Sequence, residues 1–149
     1  MVRRIWVVVD GAEASQAAVT MAVEMVRQGM GTLTGLFVID SQWPDFIGND
    51  WQSSRGSRQG FLDHVHAEQQ DQAGLARQQF ETATAGIPDC HFEVMAGDPI
   101  ETLLKCLNHP DTDLLMVGRR TFQVSGRPRL KRLARELAEG ARRPLLLFP

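Results

Sequence analysis

Asp113-Leu114-Leu115-Met116-Val117-Gly118 is a short apolar run closed by glycine, and the residues behind it decide the fold. The run reads as a strand, Leu114 to Gly118. After it come a polar loop studded with arginine (Arg119 to Arg127), a helix from Pro128 to Glu139 and a last apolar strand from Pro144 to Phe148. Leu130, Leu133 and Leu137 recur at helical spacing and give that helix its inner face, and Gly140 stops it. A strand, a loop and a helix N-terminus form the geometry in which open parallel sheets hold anions. Nine of the sixteen Lys and Arg residues lie between Arg119 and Arg143, against only Glu136 and Glu139, so this segment carries +7 while the rest of a −2 chain carries −9.

The same rhythm runs through the residues upstream. Arg4 to Val9 is β-branched and aromatic without polar alternation, as expected of a strand buried on both faces. Asp10-Gly11 turns the chain, and Ala18, Val19, Ala22, Val23, Val26 and Met30 follow at helical spacing until Gly29 and Gly31. A second strand, Thr32 to Ile39, ends at Asp40. Ser41 to Gly60 then interrupts with a long loop carrying Trp43, Phe46 and Trp51. Such loops are lids, binding segments or mobile connections. Its aromatics either close over a ligand or cover a core edge.

Phe61 to Ala85 reads as a helix with Leu62, Val65, Ala73, Ala76, Phe80 and Ala83 on one stripe. Cys90 to Ala96 alternates like a strand at a sheet edge. Asp98-Pro99-Ile100-Glu101 predicts a helix start, with an acidic cap, proline at the first position and a glutamate placed for a capping box. Five strands alternating with four helices predict an α/β fold, an open doubly wound parallel sheet with helices on both faces, as one domain over residues 1–149.

Several function classes find no support. Asp10-Gly11-Ala12-Glu13 lacks the dinucleotide glycine spacing, and there is no P-loop. Of the acids and lysine of a phospho-acceptor receiver domain, only Asp10 has a match. His64 and His66 flank Val65 on a helix and point apart, so they make a poor metal pair, and no zinc spacing occurs. No nucleophilic grouping can be assembled, which argues against an enzyme. Cys90 and Cys106 are expected to be reduced, buried thiols, and no apolar run reaches a membrane-spanning length, so a soluble, cytoplasmic protein is expected. Overall charge gives nucleic acid little attraction, although the C-terminal basic block is a local positive field.

In sheets of this kind ligands sit beyond the strand ends, where Asp10, Asp40 and Gly118 fall. An acid there can bind a base or ribose, and glycine lets the backbone approach a ligand; equally, Asp10 can cap the first helix and Gly118 permit a turn.

Over essentially its whole length the chain resembles the universal stress protein family. The resemblance rests on Asp10-Gly11 with Ser15 following, Val38-Ile39-Asp40, Gly97-Asp98-Pro99, the Asp113 to Gly118 strand, and the final Pro144-Leu145-Leu146-Leu147-Phe148. It implies the strand order 3-2-1-4-5 and a homodimer. An exposed apolar edge strand points the same way, because pairing Leu145, Leu146, Leu147 and Phe148 across a two-fold axis would satisfy its backbone. ATP-binding members carry glycine, two residues, glycine, nine residues, then glycine and Ser or Thr, a cradle of bare amides for phosphate. Here Gly118 matches, Thr121 takes the second glycine's place, and Lys131-Arg132 stand where Gly-Ser belongs.

The expectation is therefore a stress-response regulatory or interaction protein with no cofactor. The alternative is a sensor binding ATP, another adenine nucleotide or an anion through Asp10, Val38, Asp40, Gly118, Arg119, Arg120, Thr121, Lys131 and Arg132.

Overall fold

The computed structural model describes residues 2–49, 55–123 and 126–149. One parallel sheet carries β1 (Arg4–Val8), β2 (Thr32–Asp40), β3 (Cys90–Gly97), β4 (Leu114–Gly118) and β5 (Leu145–Phe148), in the order β3-β2-β1-β4-β5. Around it lie α1 (Gln16–Arg27), α2 (Trp43–Ile47), α3 (Arg55–Ala83), α4 (Pro99–Leu107) and α5 (Leu133–Gly140). Short 3₁₀ turns at Glu13–Ser15 and Pro128–Arg132 lead into α1 and α5. The doubly wound sheet and its predicted strand order are what the structure shows.

The period-2 alternation of a strand explains the two cores. Ile5, Val7, Val9, Leu33, Phe37, Leu114 and Met116 face one side, where α1 and α3 supply Ala18, Val19, Ala22, Ala76 and Phe80. Val8, Leu36, Val38, Leu115 and Val117 face the other, against Ile100, Leu103 and Leu107 of α4 and Leu133 and Leu137 of α5. Phe80 packs against Gly35 of β2, where a Cβ would fall 2.5 Å from the ring. A side chain at position 35 would lift α3 off the sheet.

Four sequence readings need correction. Residues 41–60 are not one long loop: Trp43–Ile47 forms α2, and α3 begins at Arg55, six residues before the expected start. Proline in the first turn suits α2 because its missing N–H lies among groups that have no helical partner there. Trp51 lies outside the described residues. Met30 is not on the buried face of α1; it follows the helix end at Arg27 and is 37% exposed. The last helix is split, its first turn being the 3₁₀ segment Pro128–Arg132.

Asp98 caps α4 as predicted, its Oδ2 accepting the Glu101 N–H at 2.9 Å. Both cysteines are free, but only Cys106 is buried as expected; Cys90, at the start of the edge strand β3, is half-buried. Burial first, then the charge of Glu93, pushes the Cys106 thiol up to about 12. Among the described residues no helix is long and apolar enough to cross a membrane.

At the amino edge of the sheet, Asp113 ties β4 to β1. Its Oδ2 accepts the N–H groups of Arg3 (2.9 Å) and Arg4 (2.8 Å). These bonds, aided by the charges of Arg143 and Arg4, hold the carboxyl below its usual range. A depressed carboxyl stabilises the fold above its unfolded pKa of about 3.9, and the contribution is lost as pH falls through the folded value. Asp113→Ala should therefore lower the melting temperature at neutral pH, and the gap to the parent protein should close as the solution is acidified below about pH 4. A gap independent of pH would show that the carboxylate is not the cause.

Candidate functional site

The carboxyl edge of the sheet holds a cavity of about 380 Å³ lined by Asp10, Val38 and Asp40 together with Phe37, Trp43, Phe61 and Phe122. Three of the nine predicted site residues thus meet there. Gly118 and Thr121 are buried behind it, and Arg119, Arg120, Lys131 and Arg132 are exposed and do not line it. Arg120 borders a separate open groove with Glu13, Gln16 and Pro149.

Asp10 closes the β1–α1 turn. Its Oδ1 accepts the Ala12 N–H (2.9 Å) and the Ser15 hydroxyl (2.8 Å), while its own N–H donates to Ser15 Oγ (3.1 Å). Among the described residues Oδ2 meets only the Phe122 N–H, at 3.4 Å. Phe122 holds its backbone at φ 66°, a left-handed conformation uncommon for a bulky residue, and its ring meets Phe37 edge-on at 5.4 Å. Gly118 is needed for packing: a Cβ there would strike the carbonyl oxygen of Ala14. Thr121 Oγ1 is buried without a hydrogen-bond partner among the described residues.

Two features were not foreseen. The first is a stripe of glutamines on α3. Gln69 Oε1 accepts the Asp40 N–H (2.6 Å) and its Nε2 donates to the Asp40 carbonyl (3.1 Å). Gln72 Nε2 donates to the Asp10 carbonyl, and Gln79 Nε2 to the Ala12 carbonyl at 3.2 Å. Backbone groups at the ends of β1 and β2, which a ligand could otherwise use, are taken by α3. The signal was available: positions 69, 72 and 79 share one helical stripe beside the apolar positions Val65, Ala73, Ala76 and Phe80.

The second is Arg127, a loop arginine only 7% exposed. Its Nε lies 2.5 Å from Asp40 Oδ2 and its NH2 nitrogen 3.0 Å from Asp98 Oδ1. The remaining oxygens cap backbone, Asp40 Oδ1 accepting the Gln42 N–H and Asp98 Oδ2 the Glu101 N–H, both at 2.9 Å. Burial alone would lower the guanidinium pKa, but the hydrogen bonds and charges of Asp40 and Asp98 outweigh it and raise it. Nothing in the spacing of the basic block distinguishes Arg127 from its neighbours.

Trp43 lines the cavity, meeting Phe61 at 6.0 Å and Phe46 at 5.6 Å, and Phe46 is 52% exposed. His64 is an exposed helix residue at the rim, 3.3 Å from Glu68. Among the described residues no three His, Cys, Asp or Glu side chains group as a metal site.

With this geometry in view, the universal stress protein family model matches residues 1–149. The chain belongs to the universal stress protein family. Its fold is similar to that of the universal stress protein UspA from Lactobacillus plantarum, with TM-score 0.69, 22% identity, and 99% of this chain and 98% of that one covered. It is also similar to the universal stress protein from Archaeoglobus fulgidus in complex with dAMP, with TM-score 0.61, 14% identity and 100% of both chains covered. A third is a family protein from Arabidopsis thaliana with AMP bound, with TM-score 0.56, 14% identity, and 98% of this chain and 90% of that one covered. Comparison with curated protein sequences gives no match.

The Arg127 network yields a test. Arg127→Ala leaves two carboxylates, 6% and 11% exposed, without their cation. Breaking a buried pair from one side costs about 3–5 kcal/mol, so urea unfolding should show a loss of that order. Arg127→Met combined with Asp40→Asn and Asp98→Asn should recover most of it; a loss under about 1 kcal/mol for Arg127→Ala would mean the pairs do not hold the loop.

Proposed function

We propose that this universal stress protein works as a dimeric, non-catalytic regulatory or interaction protein of the cytoplasm that does not cradle ATP as the family's ATP-binding members do. The observation that carries the proposal is the state of the loop after β4. The amide cradle is interrupted by the buried Thr121 and by Lys131 and Arg132, which are exposed on the 3₁₀ turn. Arg127, the buried cation beside the cavity, is already bonded to Asp40 and Asp98. A triphosphate entering there meets side chains in place of glycine, and the buried guanidinium is engaged.

Saturating ATP should leave the melting temperature unchanged, and protein as purified should carry no adenine absorbance. Co-purified nucleotide, or stabilisation by a few kcal/mol on adding ATP, sinks the proposal.

A second reading, a nucleotide or anion sensor acting through Arg119, Arg120, Lys131 and Arg132, draws support from the relatives crystallised with dAMP and AMP. Those four cations are exposed and could take a phosphate outside the cavity.

The dimer we propose forms through β5. This strand is a sheet edge of four residues, Leu145–Phe148, with Leu146 39% exposed. An apolar strand at a sheet edge invites a second copy, and the proposal calls for no nucleic acid or membrane partner. Light scattering should give twice the monomer mass, and Leu146→Arg should give the monomer mass with the far-ultraviolet spectrum unchanged. A parent protein that is already monomeric at micromolar concentration ends this part of the proposal.

A further inference from the structure

The cavity is not neutral. Asp10, Asp40 and Glu68 line it together with His64, which lies 3.3 Å from Glu68, and no Lys or Arg does so among the described residues. Arg127 offsets only the Asp40 charge, and it is shared with Asp98. We propose that the cavity binds a flat aromatic ligand carrying a protonated amine, and rejects an anionic ligand of the same shape. This inference rests on the reading that the chain does not cradle phosphates.

Three features of the site support it. First, a volume of about 380 Å³ suits a ligand of two or three fused rings. Second, the walls are aromatic rings fixed at steep angles to one another. Phe122 meets Phe37 at 81° and Trp43 meets Phe61 at 65°, so a flat ligand can lie against one ring and abut the edge of the next. The same ring faces attract a cation.

Third, Asp10 has an oxygen that is only weakly engaged among the described residues. Its Oδ1 carries two good hydrogen bonds, whereas Oδ2, on a residue 4% exposed, takes from those residues only the 3.4 Å contact of the Phe122 N–H. A buried carboxylate gains most from a donor that is also positively charged. The backbone N–H and C=O of Asp40 are held by Gln69, so they do not compete for the ligand. Glu68, exposed on α3, adds a second negative charge at the rim. An anion would meet these carboxylates with no guanidinium lining the cavity among the described residues to balance them.

Calorimetry and thermal shift with 1-naphthylmethylamine, 1-naphthylmethanol and 1-naphthoate keep the ring constant while the charge changes from positive through neutral to negative. The amine should bind about tenfold or more tighter than the carboxylate, with the alcohol between them. Asp10→Asn keeps the acceptor for Ser15 and Ala12 and should shrink that preference about tenfold. Glu68→Lys, on the exposed helix surface, should narrow it by roughly threefold and decides the matter if Asp10→Asn fails to fold.

Carboxylate binding equal to or tighter than amine binding overturns the inference, as does a preference unchanged in the variant that folds. ATP titrated in parallel separates the two readings. ATP binding with amine preference intact counts against the non-cradling proposal alone, whereas failure of both ATP and amine to bind leaves that proposal standing and removes this one.

Discussion

A guanidinium removed from water must be surrounded by acceptors, and Arg127 imposes that requirement on the whole carboxyl edge of the sheet. Burying an ion costs several kcal/mol, which only close, well-formed pairs can offset. Asp40 comes from the end of β2 and Asp98 from the cap of α4, so one side chain draws the β4–α5 loop against both. Each carboxylate divides its oxygens between the arginine and a backbone N–H. The turn into α2, the start of α4 and the loop before α5 are therefore fixed by the same contacts. Such a network adds little net stability compared with an apolar replacement, but it allows few alternative loop positions.

The glutamines of α3 complete the closure from the other side. Parallel strands end with backbone groups that have no further ladder to join, and in an open sheet those groups are what a ligand meets first. Gln69, Gln72 and Gln79 supply amides to them from a helix already packed on the sheet through Ala76 and Phe80. Among the described residues, what remains for a ligand is the apolar and aromatic wall together with carboxylates and His64. The strongly basic stretch from Arg119 to Arg143 projects most of its charge away from that space. Arg119, Arg120, Lys131 and Arg132 are exposed, Arg129 pairs with Glu136 and Arg135 with Glu139. Local charge in the sequence thus says little about the cavity, whose acidic lining is Asp10, Asp40 and Glu68.

The fold was legible because burial on both faces leaves a direct mark: Ile5 to Val9 and Leu114 to Val117 have no polar alternation, and the leucines of α5 repeat at helical spacing. Asp98 and Pro99 announced α4 because capping is a local interaction. The stretch from 41 to 60 failed for the opposite reason. Its composition is that of a loop, and α2 packs through Trp43 on Phe61, a tertiary contact with no periodicity over five residues. At the carboxyl edge, Asp10 and Asp40 could be placed near each other because strand ends can be counted, and both line the cavity. Arg127 was missed because which polar side chain turns inward depends on distant partners, Arg127 and Asp40 being separated by 87 positions, whereas the glutamines left a local mark in their shared helical stripe that went unread.

Gly118 shows how far a motif match can be taken. A glycine at the end of β4 can serve a phosphate by leaving the backbone bare, but here it has a sufficient cause without any ligand. Its α-carbon faces the carbonyl of Ala14 so closely that a Cβ would strike that oxygen, and Thr121 Oγ1 would lie 2.9 Å away. The 3₁₀ turn at Glu13–Ser15 is itself held by Asp10 and Ser15, which brings the Ala14 carbonyl to that spot. Any chain that packs this turn on β4 needs glycine at 118 whether or not it binds nucleotide. Discrimination must rest on positions that the packing leaves free to vary. Lys131 and Arg132 qualify because they are exposed, and there the sequence departs from the glycine pattern.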